Sequence, residues 1–170
     1  ALIEQVDSFY GETPLHAAAY NGHVEVIQWL AEKQPALLEQ VDKHGKTPLH
    51  AAAYNGHVEV IQWLVEKQPA LIEQVDKRGR TPLGIAAQNG HVEVVQWLAS
   101  QRPALVERID KRGRTPLHDA AYNDRINAVQ WLAEKQPALI GRVYKHGRTP
   151  LGIAAQNGHV EVVQWLASQR

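Results

Sequence analysis

The sequence predicts an all-α solenoid of five stacked helix-turn-helix repeats. Three observations lead to this fold class. A Thr-Pro-Leu tripeptide recurs every 34 residues, at Thr13, Thr47, Thr81, Thr115 and Thr149. Each copy alternates a short polar loop with two apolar-periodic segments and a link that contains proline. The first segment of each copy is only about two helical turns long, too short to persist alone in water, so the copies must stack on one another.

The second copy shows why its first helix, which we call helix A, begins and ends where it does. Thr47 can accept a hydrogen bond from an unpaired backbone N–H, and Pro48 at the first helical position loses no bond. Helix A is therefore predicted from about Pro48 to Tyr54. The glycine of Asn55-Gly56 then supplies the left-handed backbone of a tight turn.

The second helix of each copy, which we call helix B, is predicted in the second copy from about Val58 to Lys67. Apolar residues recur there near a period of 3.6, and a proline follows the end. These residues are Val60, Ile61, Trp63, Leu64 and Pro69. Repeat alignment divides the single predicted domain at about 7–41, 42–75, 76–109, 110–143 and 144–170.

Composition excludes several classes of protein. The chain has 170 residues, 44% of them hydrophobic, so it can form a core without a metal. Cysteine is absent, which excludes disulfides, thiol catalysis and thiolate zinc sites. Apolar stretches are too short for a membrane span, and the start shows no signal-peptide pattern. We therefore expect a soluble protein that does not bind membranes, and we favour an intracellular one.

The repeated motifs resemble those of the ankyrin repeat family. The pattern T-P-L-H-x-A-A begins at Thr13, Thr47 and Thr115, and N-G-H-V-E-V begins at Asn21, Asn55, Asn89 and Asn157. The resemblance extends over all five copies. It implies an ankyrin-type stack of helix pairs with projecting finger loops, and a non-catalytic role in binding other proteins. The period is one residue longer than is usual in the family, so we expect an altered link.

The resemblance implies a binding surface on the finger tips and the inner face of helix A. Ten of the eighteen Lys and Arg residues lie in the last four fingers, which predicts a basic edge and an acidic protein partner. Tyrosines at the end of helix A would supply peptide anchors. The candidate partner-binding residues are Lys43, His44, Lys46, Tyr54, Lys77, Arg78, Arg80, Gln88, Lys111, Arg112, Arg114, Asp119, Tyr122, Tyr144 and Arg148.

Near-identity of the copies keeps other functions open. Residues 81–102 recur letter for letter at 149–170, whereas contact residues for one asymmetric ligand would be expected to vary. An engineered or consensus-like scaffold without a native ligand would also have such copies. The basic tips would then be solvent-exposed loops without a binding role. Basic and aromatic residues together also suit weak binding of a polyanion or nucleic acid. That alternative is less favoured, because no nucleic-acid motif is present.

The histidines form no catalytic or metal-binding pattern. One histidine of each type occurs per layer, whereas a metal site needs three or four converging ligands. The resemblance implies instead that the repeated histidines hydrogen-bond the backbone. No nucleophile, base and orienting group recur together, so we expect no enzyme activity, no metal and no other cofactor.

The fourth copy departs most from the others. Asp119 takes a helix A position that holds Ala or Ile elsewhere, and a carboxylate there must be exposed or paired. Asp124 replaces the turn glycine, and aspartate tolerates left-handed backbone better than most residues. This layer is either a specialised contact or a repeat that has drifted, and we favour drift.

Two further expectations concern the tryptophans and the last copy. One tryptophan per copy, in the same helix B position, predicts a ladder of stacked rings between repeats. The last copy has the sequence of an internal one, which predicts uncovered apolar surface and either end-to-end self-association or a fraying terminus. The residues expected to be uncovered are Val160, Val163, Trp165 and Leu166.

Overall fold

The computed structural model describes residues 1–169, in which ten α-helices form five successive pairs. The A helices are α1 (Pro14–Tyr20), α3 (Pro48–Asn55), α5 (Pro82–Gln88), α7 (Pro116–Tyr122) and α9 (Pro150–Gln156). The B helices are α2 (Val24–Lys33), α4 (Val58–Lys67), α6 (Val92–Gln101), α8 (Ile126–Lys135) and α10 (Val160–Ser168). These 169 residues contain no β-strand. The predicted all-α repeat architecture is confirmed.

A threonine caps the start of every A helix. The hydroxyl of Thr47 accepts a hydrogen bond from the N–H of His50 at 3.4 Å. Nδ1 of His50 accepts one from the N–H of Thr47 at 3.1 Å. Two backbone donors that the helix leaves unpaired are thus satisfied reciprocally. The third and fifth repeats carry Gly84 and Gly152 instead of histidine, so only the threonine half of this box forms there.

The turn between the two helices of each pair depends on one residue with left-handed backbone. Gly56 has φ 75°, a conformation that glycine adopts without a steric penalty. In the fourth repeat Asp124 adopts φ 59° at the same place, so the predicted tolerance of aspartate for this turn is confirmed.

The links between repeats contain short 3-10 helices, which the sequence reading did not predict. They span Pro35–Leu38, Pro69–Glu73, Pro103–Glu107 and Pro137–Gly141, and a further one spans Leu2–Glu4. Proline presets the backbone angle at the first position of each link helix. The leucine two residues after that proline is buried in all four links, so each link closes the core below its repeat.

One hydrophobic cluster extends along the whole stack. Its centre is a row of leucines that follow Thr-Pro in the A helices, and Leu15, Leu49, Leu83 and Leu117 have no exposed surface. Small alanines on the same helices are also buried, which allows successive A helices to pack closely. Successive B helices share far fewer close residues, so the stack is tighter on the helix A side.

The tryptophans do not form the predicted ladder. No tryptophan ring stacks on another within residues 1–169, so this prediction was wrong. The wider separation of the B helices keeps the rings apart, and four of them pack instead against the core: Trp63, Trp97, Trp131 and Trp165. Trp29 is 53% exposed. Nζ of Lys33 lies 5.7 Å from the centroid of its ring.

The last helix is better covered than expected. Val160 is 64% exposed, and Val163 and Trp165 are half-buried, but Leu166 is only 2% exposed. The expectation of an uncovered Leu166 was wrong, because this residue belongs to the cluster shared with the preceding repeat. End-to-end self-association stays a prediction.

Candidate binding surface

The second, third and fourth finger loops are each built around an inward-facing aspartate. Oδ1 of Asp76 accepts hydrogen bonds from the N–H groups of Arg78 and Arg80, both at 2.9 Å. Asp42 and Asp110 make the equivalent bonds in their own fingers. Burial raises the pKa of Asp76, but the backbone N–H and the guanidinium of Arg80 outweigh it and hold that pKa below its usual value. The aspartates of these tips therefore stabilise the conformation of their own loops.

Backbone hydrogen bonds join the fingers into one continuous edge. The first lysine of each finger donates its N–H to a carbonyl of the preceding finger, at 2.8 to 3.2 Å. The pairs are Lys43 with Tyr10, Lys77 with His44, Lys111 with Arg78, and Lys145 with Arg112. The positions of neighbouring tips are thereby fixed relative to one another.

The predicted site residues fall into three groups by exposure. Exposed are Lys43, His44, Tyr54, Lys77, Arg78, Lys111, Arg112, Tyr122 and Arg148; half-buried are Lys46, Arg80, Gln88 and Arg114; buried are Asp119 and Tyr144. Lys145 was not among the predicted residues, although it is exposed at the finger position of Lys77. Alignment of the repeats alone would have identified it.

Arg80 is held inside the surface and does not extend from it. Its Nη2 lies 2.8 Å from Oδ2 of Asp76, and its Nη1 donates to Oε1 of Gln88 at 2.7 Å. Only 12% of its side chain is exposed. The charge of Arg80 is thus neutralised within its own repeat, which the sequence reading did not foresee.

Arg114 is held in a similar way by Asp119. Nη1 of Arg114 lies 3.1 Å from Oδ1 of Asp119, and 15% of the arginine side chain is exposed. Its guanidinium carbon lies 4.9 Å from the ring centroid of Tyr122 and 5.4 Å from that of Tyr144. Nε of Arg114 is buried and has no hydrogen-bond partner within residues 1–169.

Asp119 and Tyr144 are not presented to a partner as the sequence analysis expected. Asp119 is 5% exposed and paired with Arg114. Burial raises its pKa to about 6 in spite of that guanidinium. Tyr144 is 8% exposed, and its ring lies edge-on to His118 at 5.6 Å. Both residues form part of the floor below the fourth and fifth fingers.

Three tyrosines lie beside the basic edge, at the ends of the A helices. Tyr20, Tyr54 and Tyr122 are 41%, 39% and 44% exposed. The rings of Tyr20 and Tyr54 stack with their centroids 5.8 Å apart. Nζ of Lys46 lies 5.6 Å from the centroid of the Tyr54 ring. Tyr20 and Tyr54 therefore form an exposed stacked pair next to the tips, and Tyr122 lies apart from them because the third repeat has Gln88 at this position.

Three slots open between successive fingers. The slot between the third and fourth fingers has a volume of about 340 Å³, and Lys111, Arg112 and Tyr122 are among its lining residues. The slot between the second and third fingers, of about 320 Å³, includes Lys77, Arg78 and Tyr54. The slot between the first and second fingers, of about 390 Å³, contains Tyr20 but also Glu12. We call the slot between the first and second fingers slot 1, the slot between the second and third fingers slot 2, and the slot between the third and fourth fingers slot 3.

The buried histidines of the A helices act as neutral hydrogen-bonding groups. Nδ1 of His50 accepts from the backbone of Thr47, which assigns the ring proton to Nε2, 3.1 Å from the carbonyl oxygen of Arg80 in the next repeat. His16 and His118 bridge successive repeats in the same way, through the carbonyl oxygens of Lys46 and Arg148. Burial lowers the pKa of all three, for His50 to about 4. No group of three His, Asp or Glu residues within 1–169 is arranged to hold a metal ion.

We expect the free energy of unfolding to decrease as pH falls from 6.5 towards 4. A histidine whose pKa is lower when folded than when unfolded contributes stability above pH 6.5 that is lost below it, on the order of 3 kcal/mol for His50. Asp119 has a raised pKa, so its contribution has the opposite sign and offsets part of this loss. Urea unfolding at several pH values measures the slope.

The control for this prediction is His50→Gln, which should flatten the pH dependence between pH 6.5 and 4 whatever its effect on stability at neutral pH. An unchanged slope in this variant would show that His50 does not carry the titration.

Comparison with known proteins agrees with the architecture. The family model described as ankyrin repeats in three copies matches residues 1–74, 69–142 and 110–170, which together span the chain. A search of curated proteins found no match. None of the helices within residues 1–169 is both long and apolar enough to cross a membrane. Ankyrin repeats generally mediate protein–protein interactions and are typically not enzymes. The chain belongs to the ankyrin repeat family.

Proposed function

We propose that this protein binds an acidic protein partner through the exposed basic residues of its fingers and the tyrosines beside them. One observation carries the proposal. The finger carboxylates face inward and hold the loops, whereas the cations at the tips face outward. The exposed Lys and Arg residues of the tips, which we call the basic edge, are Lys43, Lys77, Arg78, Lys111, Arg112, Lys145 and Arg148.

The separation of charge explains why a chain of zero net charge would attract an acidic partner. Arg80 and Arg114 are largely neutralised by Asp76 and Asp119. These two arginines therefore contribute to the shape of the surface but little to its positive electrostatic potential. Among residues 1–169 the exposed cations have no such carboxylate partner. A surface of one sign raises the rate of encounter with the opposite charge and makes binding sensitive to salt.

The experiment is capture of proteins from a cell lysate at physiological salt by the intact chain and by a variant in which Lys77, Arg78, Lys111 and Arg112 are changed to Ser. These residues are exposed and make no side-chain ion pair within residues 1–169, so the fold should be retained. We expect the intact chain to retain a discrete protein with an acidic surface, and the variant to lose it.

The matched control removes four positive charges elsewhere on the surface, at Lys33, Lys67, Arg102 and Lys135. It has the same net charge as the tip variant and should retain the partner. If both variants lose the partner equally, the effect depends on net charge alone. If both retain the partner equally, the binding site lies elsewhere. Either result overturns the proposal. Capture of salt-sensitive polyanions alone would favour the alternatives of a scaffold without a native ligand or a weak polyanion binder.

A further inference from the structure

We propose that slots 2 and 3 bind an extended peptide segment in polyproline II conformation that carries a carboxylate side chain at every third residue. The proposal rests on the proposed function and specifies the chemistry of the partner. It follows from three features of the surface: the spacing of the slots, the distribution of free cations, and the single exposed tyrosine in each slot.

The spacing of the slots follows from the hydrogen bonds of the fingers. Within one finger the N–H of Asp76 bonds to the carbonyl of Arg80 at 3.0 Å, so its two arms lie side by side. Between fingers the N–H of Lys111 bonds to the carbonyl of Arg78 at 2.9 Å. Each repeat therefore adds two hydrogen-bonded backbone segments to the edge, and equivalent points of neighbouring fingers are separated by two such inter-segment distances. At about 4.8 Å for each such spacing, successive slots lie about 9.6 Å apart.

Only one regular extended conformation presents side chains at this interval on the same side. A polyproline II helix has three residues per turn and rises about 3.1 Å per residue, so every third side chain points the same way, about 9.3 Å from the last. In a β-strand, side chains on one face repeat every two residues, about 6.7 Å apart. The polyproline II repeat fits the slots, and the β-strand repeat does not.

The charges of slots 2 and 3 suit a carboxylate. Lys77 and Arg78 line both slots, and Lys111 and Arg112 join them in slot 3. The side chains of these four residues make no hydrogen bond within residues 1–169 and are available to a ligand. An arginine can hold a carboxylate through two parallel hydrogen bonds. Slot 1 lacks an exposed lysine or arginine and contains Glu12, so the ligand should not place a carboxylate there.

The exposed tyrosines indicate which residues of the peptide lie between its carboxylates. Tyr54 lines slot 2 and Tyr122 lines slot 3, each with its ring partly exposed. Flat, rigid aromatic surfaces are what proline-rich segments in polyproline II conformation pack against, and such segments lose little conformational entropy on binding. Prolines at the two positions between the acidic residues would therefore contact Tyr54 in slot 2 and Tyr122 in slot 3.

The test is fluorescence anisotropy with the intact chain and three labelled twelve-residue peptides. The first is (Glu-Pro-Pro)₄. The second has the same composition in blocks, four Glu followed by eight Pro. The third, (Glu-Gly-Gly)₄, keeps the spacing without the preformed conformation. We expect the first peptide to bind about tenfold more tightly than either control, because only it presents carboxylates to slots 2 and 3 in register without an ordering cost.

Protein variants complete the test. Changing Lys77, Arg78, Lys111 and Arg112 to Ser should weaken binding of the first peptide about tenfold or more, whereas the four changes at Lys33, Lys67, Arg102 and Lys135 should leave it within about twofold. Equal binding of the first two peptides would overturn the three-residue spacing, and equal binding of the first and third would overturn the polyproline II conformation. If no peptide binds although a lysate protein is captured through the tips, the inference fails and the proposed function stands.

Discussion

Replacing Leu83 by alanine is expected to lower the free energy of unfolding by about 2–5 kcal/mol. Leu83 has no exposed surface, and its helix α5 packs between α3 and α7. The shortened side chain would leave a cavity that the close-packed A helices cannot fill. Because repeats are stabilised mainly by their neighbours, a cavity in the middle of the stack weakens the contacts on both sides. Urea unfolding followed by far-ultraviolet circular dichroism measures the change.

The control is Leu151→Ala, in a copy of the same local sequence. Residues 81–102 and 149–170 are identical, but α9 packs against α7 on one side only, and Leu151 is partly exposed. We expect it to cost less than half as much as Leu83→Ala. Because the local sequences agree, the difference isolates the effect of neighbouring repeats. Equal costs at the two positions would contradict the stacked packing described above.

Replacing Gly56 by alanine is expected to cost about 2–3 kcal/mol, from two causes. Left-handed backbone at φ 75° disfavours any residue with a Cβ by about 1–2 kcal/mol. The added Cβ would also lie 2.5 Å from Nδ1 of His91, so the ring must move. That ring bonds through Nε2 to the carbonyl oxygen of Tyr54 at 2.8 Å, a contact worth about 1 kcal/mol. The same unfolding measurement applies.

Two controls separate these causes. Gly158→Ala has the same left-handed backbone at φ 73° with no atom near the added Cβ, so only the first cost should appear. In a His91→Ala background the Gly56→Ala cost should fall to that same value, since the ring is gone. A cost that does not change with His91 present or absent would mean that the contact with this ring is unimportant.

Local signals in the sequence accounted for most of the helices. Thr-Pro, Asn-Gly and the 3.6-residue apolar period act within a few residues, so they located α3 to within one residue and α4 to the residue. The 3-10 helices of the links were missed, because their stability comes from a leucine buried below the neighbouring helices. The tryptophan ladder failed for a similar reason. Ring stacking depends on the distance between B helices, which no local pattern reports.

The position of the candidate binding surface was predictable from the sequence, but its detail was not. Counting charges by repeat located the basic edge, since finger loops must lie at the surface. It did not separate Arg78, which is exposed, from Arg80 two residues later, which is paired with Asp76 and Gln88. In the fifth finger Tyr144 replaces the aspartate, and the equivalent Arg148 is exposed although it still bonds to Gln156.

Sequence alone determined the repeat, the family, the helix boundaries and the basic character of the tips, because each depends on residue types at short, regular intervals. Tertiary structure decided which of those charges are free. Residues 81–102 and 149–170 have the same letters, yet Ala87 is fully buried where Ala155 is exposed, and Gln88 is half-buried where Gln156 is exposed. Burial and charge pairing depend on the neighbours of a repeat, and identical sequences have different neighbours at different places in the stack.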